Sequence, residues 1–393
     1  MKIAINGAGI AGPTLAWWLK HYGHEPVLFE KSHTFRTGGY VIDFWGLGYD
    51  IAEKMGILPQ IKEKGYLLKE LKMLDADGNL LVKNNVEAVR HLVHDRLVSI
   101  PRGDLAFSIF QACNDIETHF GTHIVGIENG DTQTKVQLSN GRTDSFDIVV
   151  GADGLHSNTR SLIFGEEARF EKPLGYYVSA FYLDHYPKRD ELSAVSHTIP
   201  NKQVMRVSLR NGQTVFLFIC SEAELHSIPK TLKEQKEALH SIFGEMGWET
   251  SDILKRMDDL EELYFDRVSQ IRMESWTKNR VALIGDAAAC ASLLAGEGSG
   301  LAMTEAYILA GEIHRSKGDI PQAFKDYETQ LRPFLIKKQT SALRIAGFFA
   351  PKSELTLKLR NLATRLSNNS LFAKLFVGPS LQDDFELPNY ESL

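Results

Sequence analysis

The sequence predicts an α/β protein with one domain on a helix-wound parallel sheet, a second domain of β-sheet and a helical C-terminal segment. Three observations carry this. Short aliphatic runs lead at once into glycine turns and helical periodicity near residues 2–22, 148–160 and 281–311, the pattern of βα units. Between 172 and 270 the chain shifts to β-branched and aromatic runs divided by turn signals. From Pro333 onward apolar residues recur at helical spacing.

A chain of 393 residues suggests two domains. The expected division is 1–171 with 272–334, then 172–271, then a helical segment 335–393. A hydrophobic content of 43% with 24% charged residues supports a large core. The 44 basic and 50 acidic residues give a net charge of −6, and no long basic run occurs, which argues against a nucleic-acid partner. Cys113, Cys220 and Cys290 form neither a disulfide framework nor a zinc pattern, and none of the 13 histidines stands in a ligand motif, so no metal site is expected. The apolar stretch 281–303 carries Asp286 and Glu297, so it is no membrane span. The first residues pass straight into a strand without a leader pattern. A cytoplasmic monomer or weak homodimer is expected.

The first βα unit is explicit. Lys2–Asn6 reads as a buried strand, Gly7-x-Gly9-x-x-Gly12 as a turn, Thr14–Tyr22 as a helix ended by Gly23, and Glu25–Glu30 as the next strand. Gly7 permits the tight turn, Gly9 lets backbone approach a pyrophosphate, and Gly12 brings helix and sheet close. Phosphates then sit at the positive end of the helix, and Glu30 can accept hydrogen bonds from a ribose. By itself this fingerprint fits NAD and FAD equally.

A second motif runs Asp147-Ile-Val-Val-Gly-Ala-Asp153-Gly154, followed by Ser157 and Arg160. It reads as a strand whose carboxyl end turns into a ligand crevice. Equally, it reads as a plain strand-to-helix turn with Ser157 as cap and Arg160 as surface charge. The third motif joins Val281–Ile284, Gly285-Asp286 and Gly296-Glu297-Gly298-Ser299-Gly300, which should open a helix through Gly311. Asp286 can accept a bond from a ribityl hydroxyl, and the free N–H groups of the helix start can face the electron-rich end of a flavin. The alternative is close packing alone.

In order and spacing these three motifs resemble the group A flavoprotein monooxygenases, the aromatic hydroxylases of the para-hydroxybenzoate hydroxylase type. Arg102, in Ile-Pro-Arg102-Gly-Asp, matches that family's arginine before the helix flanking the flavin. The resemblance implies a Rossmann-type FAD-binding domain with a β-sheet substrate domain and C-terminal helices. It also implies bound FAD, with NADPH or NADH as a transient reductant. The candidate FAD residues are Gly7, Gly9, Ile10, Ala11, Gly12, Glu30, Lys31, Gly39, Arg102, Val125, Asp153, Gly154, Asp286, Gly296, Gly298 and Ser299. The implied reaction is hydroxylation of an aromatic or polycyclic small molecule through a C4a-hydroperoxyflavin; no side-chain catalytic group stands out. Within the family, Phe35–Gly39, Tyr177–Phe181, Trp276–Asp286 and Leu387–Glu391 are similar to tetracycline destructases, which implies polyketide- or tetracycline-like substrates and antibiotic resistance. One departure is clear. The family's His after Gly-Asp-Ala-Ala, its Pro-Pro and its Gly-Gln-Gly are replaced here by Ala289, Ser292-Leu293-Leu294 and Gly296-Glu297-Gly298, which puts a carboxylate near the ring unless it points away.

In the second domain Tyr176–Leu183, Gln203–Leu209 and Thr214–Cys220 read as strands, with a hairpin at Arg210-Asn211-Gly212 and a helix at Thr231–Phe243. Candidate substrate contacts are Phe181, Met205, Arg206 and Phe216, unless those positions only pack the core. C-terminal helices are expected at Leu335–Phe349, Glu354–Arg365 and Ser370–Phe376, either gating the site or closing the domain interface. A flavin-dependent halogenase or double-bond reductase on the same fold is the rival enzyme, although Trp17, Trp18, Trp45, Trp248 and Trp276 do not form W-x-W-x-I-P. A carrier of the GDP-dissociation-inhibitor type is the non-catalytic rival, disfavoured by Asp286 and its glycine-rich helix start.

Overall fold

The structure, a computed structural model, describes residues 1–35, 38–188, 190–368, 372 and 383–391. Six strands organise the first domain, in the order Thr277–Lys278, Val281–Leu283, Ile148–Gly151, Lys2–Asn6, Glu25–Glu30, Glu117–Phe120. All pairs are parallel except at the two-residue edge strand. Both faces are covered, which is why these strands read as unbroken apolar runs. Ile3, Ile5, Ile148 and Val150 face helices Ala11–His21 and Gly298–Arg315. Ala4, Val27 and Val149 face a small antiparallel sheet through Val136, Leu138 and Phe146.

The second sheet has seven strands, ordered Tyr264–Ile271, Glu171–Asp184, Gln213–Ser221, Lys202–Ser208, Ser193–Ile199, Glu70–Leu74, Leu80–Asn85. It is wider than the 172–271 segment, because the hairpin Glu70–Asn85 crosses over from the first part of the chain. Gly212, at φ 86°, makes the predicted turn, and the Leu209 amide donates to the Gln213 carbonyl at 2.8 Å. One face carries Tyr177, Phe181, Phe216 and Phe218 against helices Leu232–Phe243 and Thr250–Met257. Along each strand the neighbours alternate to the other face. There Val178, Leu217 and Ile219 meet Leu293, Leu294 and Phe349, with Met205 beside them.

The C-terminal half of the chain differs from expectation in one respect. A single helix, Ile320–Phe349, passes through Pro333, so the expected boundary at 334 falls inside it. Proline removes one backbone bond, and burial of Tyr327, Leu331, Phe334 and Leu335 around it holds the helix together. Helix Glu354–Leu366 follows; the expected helix Ser370–Phe376 lies, apart from Phe372, outside the described residues. The tail then returns to the first domain. Tyr390 is 2% exposed, and its hydroxyl donates to Glu312 Oε1 at 2.6 Å. A β-carbon at Gly311 would lie 2.2 Å from the Tyr390 ring, so only glycine seats it. No helix among the described residues is long and apolar enough to cross a membrane.

Two expectations about stability follow from this packing. Tyr390→Ala should cost about 3–5 kcal/mol, against about 1–2 kcal/mol for Tyr390→Phe, read from denaturant unfolding. The second concerns pH. His156 bridges the domains, with Nδ1 2.8 Å from Glu167 and Nε2 3.1 Å from Asp266 on the second sheet. The bond to Asp266 and then that to Glu167 push its pKa up to about 9 from 6.5. A raised pKa means the clamp stabilises fully below pH 6.5 and is lost as pH rises through about 9. Thermal melts of wild type should fall across that window relative to His156→Gln, whereas parallel curves contradict the clamp.

Candidate cofactor site

Four strand ends deliver the site to one edge of the parallel sheet, the carboxyl edge where α/β ligands bind. Gly7 follows Asn6, Ser32 follows Glu30, Ala152-Asp153-Gly154 follow Gly151, and Gly285-Asp286 follow Leu283. They are packed too closely for side chains. A β-carbon at Gly7, whose φ is +114°, would lie 2.4 Å from the Ala152 carbonyl oxygen. One at Gly12 would lie 2.0 Å from the Gly7 oxygen. At Gly9 and Gly154 a β-carbon would meet nothing within 4 Å, so open space stands over both turns. That is the room a pyrophosphate needs above the start of helix Ala11–His21, to which Ile10 and Ala11 also belong. Glu30 is held by both turns: Oε2 accepts from the Ala8 amide of the glycine turn and Oε1 from the Ser32 amide of its own, both at 2.9 Å. Lys31 beside it is exposed, and Val125 is 39% exposed next to Ile124, whose amide donates to Asn6 Oδ1.

Asp153 does something the sequence motif does not announce. Its carboxylate accepts from Asn6 Nδ2 at 3.1 Å, Ser157 Oγ at 2.5 Å, and both the amide and Oγ1 of Thr159 at 2.9 and 3.0 Å. The side chain therefore ties the central strand to the next helix, leaving the Asp153-Gly154 backbone to meet a ligand. Ser157 caps that helix through the Arg160 amide, as the plainer reading expected. Arg160 is not a surface charge. It is fully buried and donates to the carbonyls of Leu155 at 2.6 Å and Ala287 at 3.2 Å and to Glu167 at 2.7 Å, joining the second motif to the third.

At the third motif, Gly285 adopts φ +62°, and its amide donates to Glu305 Oε2 at 2.7 Å. Burial pushes the Glu305 carboxyl well above its usual range, and the Tyr327 hydroxyl lies 3.4 Å away. Gly296, at φ +71°, turns the chain into helix Gly298–Arg315, where Ser299 and Gly300 present free amides. A β-carbon at Gly298 would lie 3.8 Å from Asp286 Oδ1, so the acid and the helix start adjoin. Gly300 packs on Gly48 so tightly that a β-carbon at Gly48 would lie 2.6 Å from Gly300 Cα.

Opposite stand residues from the segment between the motifs. Gly39, at φ +142°, packs on Arg102, whose amide donates to the Tyr40 carbonyl at 2.9 Å. The Arg102 guanidinium makes no side-chain hydrogen bond or ion pair among the described residues, although it lies near Tyr40 and Tyr264. Burial pushes the Tyr40 phenol up to about 12, opposed by Arg102. Sequence reasoning missed Asp43. It lines a narrow cleft with Gly296, Glu297, Gly300, Lys338 and Asp383 and accepts from Ser99 Oγ. The available signal was an acid amid Val-Ile-Asp-Phe-Trp. A cation with no ion-pair partner among the described residues, an acid facing a cleft, helix-start amides and glycine-lined space along one edge fit an extended dinucleotide. Gly7 to Glu30 would hold its ADP half, and Asp286, Gly296, Gly298 and Ser299 with Arg102 its ring half.

The candidate substrate contacts divide by face. Met205 lies on the side of Leu293 and Leu294. Phe181 and Phe216 lie on the opposite side, stacked 5.5 Å apart beneath the two covering helices, which corrects their expected place. Arg206, in register with Phe216, is also on that far face. It is 3% exposed and held by Glu249 at 2.9 and 3.1 Å and Asp190 at 2.8 Å. Alternation sets two faces but not which one meets the cofactor.

Asp153→Ala should lower the melting temperature of cofactor-free protein as well as cofactor affinity, because it removes bonds within the fold; each bond to a charged group contributes about 1.5–3 kcal/mol. Unchanged melting of the free protein would assign Asp153 to the ligand alone.

Comparison with known proteins agrees with this geometry. Residues 1–317 match the FAD binding domain family. A flavin-dependent monooxygenase from an unknown prokaryotic organism is 35% identical over 391 residues, covering 100% of this chain and 99% of that one. The crystal structures of tetracycline destructases Tet(51) and Tet(55) superpose with TM-scores of 0.83 and 0.84 at 33% and 32% identity, each covering 99% of this chain and 98% of the other. With four strand ends and an open glycine edge shaped for such a cofactor, the chain belongs to the FAD-binding-domain family and is an FAD-dependent monooxygenase of the tetracycline destructase branch.

Proposed function

We propose that this enzyme hydroxylates an aromatic or polycyclic small molecule of the tetracycline or polyketide kind, with NADPH or NADH as reductant and O2 as oxidant. The observation that carries this reading is the apolar meeting of the second sheet with the flavin-side turn. Met205, Val178 and Ile219 stand over Leu293 and Leu294, closed by Tyr40 and Phe349. This packed junction keeps water away from the ring half of the site, and its partly buried members, Met205, Tyr40, Leu293 and Phe349, offer an apolar wall to a flat ligand lying beside it. Likeness to two tetracycline destructases supports the same substrate class.

Bound FAD supplies the electron transfer and the activation of oxygen. The chain's own residues do the rest. The amides at 298–300 favour negative charge on the neighbouring ring, as helix starts do. Arg102 adds a cation that has no ion-pair partner among the described residues. Leu293, Leu294 and Phe349 exclude water, and Met205 and Tyr40 orient the substrate.

The test uses purified FAD-loaded protein with tetracycline and a panel of phenols, following NADPH oxidation, O2 uptake and product mass. A product heavier by one oxygen is expected; anaerobic turnover or chloride-dependent mass gain contradicts the proposal in favour of a reductase or halogenase. Face assignment gives a second expectation. Met205→Ala should raise KM for the accepted substrate with little loss of stability. Arg206→Ala should instead destabilise the fold by about 3–5 kcal/mol, since it strands Glu249 in the interior, with KM little changed. A reversed pattern would place the substrate on the far face.

A further inference from the structure

Glu297 departs from the family's glutamine in the turn that faces the flavin, and the structure shows where its charge goes. The residue is the N-cap of helix Gly298–Arg315, immediately before the amides that face the ring. Its Oε1 lies 3.1 Å from Lys338 Nζ, on the long helix Ile320–Phe349. The same ammonium lies 2.7 Å from Asp383 Oδ1, in the returning tail. Asp383 Oδ2 in turn accepts from the Leu47 amide at 3.0 Å, at the start of helix Gly46–Lys54, where a β-carbon on Gly46 would lie 2.3 Å from that oxygen. The side chains of Lys338, Glu297 and Asp383 are 9%, 13% and 15% exposed, too sheltered for water to neutralise them.

A bare carboxylate beside those amides would oppose their field and disfavour electrons on the ring. Charges this sheltered interact several times more strongly than in water. Without Lys338, Glu297 and Asp383 would also repel each other. We propose that Lys338 is a positioning residue for the flavin. It draws Glu297 away from the ring and cancels its charge, while Asp383 fixes the ammonium and so links the C-terminal tail to the cofactor's electron affinity. The arrangement compensates on this chain for the glutamine-to-glutamate change. Burial raises the Glu297 carboxyl and the pairing raises Lys338, in keeping with a pair held out of water. The inference rests on the ring lying at residues 298–300.

The test is the two-electron midpoint potential of the FAD-loaded protein, measured by dye-equilibrated reduction. Lys338→Met should hold reduced flavin about tenfold more weakly relative to oxidised flavin, a fall of about 30 mV. The double variant E297Q/K338M should return to the wild-type potential, and Lys338→Arg should keep it. An unshifted Lys338→Met, or a double variant as low as the single, overturns the proposal. Should Lys338→Met prove insoluble, Glu297→Gln decides. It creates no unpaired charge and is expected to keep or raise the potential, and a fall overturns the proposal. Residues with a merely structural role would change melting behaviour without this charge-dependent pattern of potentials.

Discussion

A missing β-carbon at Gly7 is the constraint on which the cofactor site depends. With φ +114°, the turn lays its backbone against the Ala152 carbonyl, and Gly12 lays the helix against Gly7. These two contacts lock together the turns after strand ends 6 and 151, and the end at 283 lies beside them because the three strands are parallel and adjacent in the sheet. Any larger residue at position 7 would push the Asp153 turn away and open the edge. Everything later in the site inherits this closeness, including the alignment of helix starts that gives the edge its positive character.

Polar groups behind the edge are mostly committed to holding it. Glu30 is bound by the Ser32 amide of its own turn and the Ala8 amide of the glycine turn, Asp153 by four donors, and Glu305 by the Gly285 amide. Arg160 runs beneath, tying the second motif to the third from a fully buried position. On the proposed reading, what would meet the cofactor is largely backbone, with Asp43, Asp286 and Arg102 as further side chains at that edge. This division suits a redox cofactor that brings its own chemistry: the protein contributes shape, fixed dipoles and dryness. Gln270 and Gln339 extend the same economy to the domain junction. Their amides donate to the carbonyls of Ala291, Ile271 and Cys290, fastening the second sheet and the long helix to the flavin-side turn.

Features local in the chain were legible. Gly7-x-Gly9-x-x-Gly12, Asp153-Gly154 and Gly285-Asp286 each lie within a few residues, and their strand and helix context is written beside them. Features that depend on distant partners were not. The hairpin Glu70–Asn85 gives no sign that its sheet partners are a hundred residues away. Arg160 reads as a surface charge until Ala287 and Glu167 surround it. Met205 and Arg206 are adjacent and equally plausible, and only Glu249, in another element, sends Arg206 to the far face. Whether the Glu297 carboxylate meets the flavin or points away is open in the sequence, because its counter-ion, Lys338, is 41 positions on and the acid that fixes that lysine, Asp383, is 86 positions on. The expected helix begins at Leu335, just after Pro333, yet the buried face of Tyr327, Leu331, Phe334 and Leu335 carries one helix through an exposed Pro333.

Gly9 offers the most direct measurement of the account as a whole, because a β-carbon there meets no protein atom within 4 Å. Gly9→Val should leave the thermal unfolding of FAD-free protein unchanged. In calorimetric titration with FAD it should weaken binding at least about 100-fold, the equivalent of ~2.8 kcal/mol. Wild-type FAD affinity in that variant would show that the cofactor does not lie over the glycine edge, and would contradict the arrangement of the site.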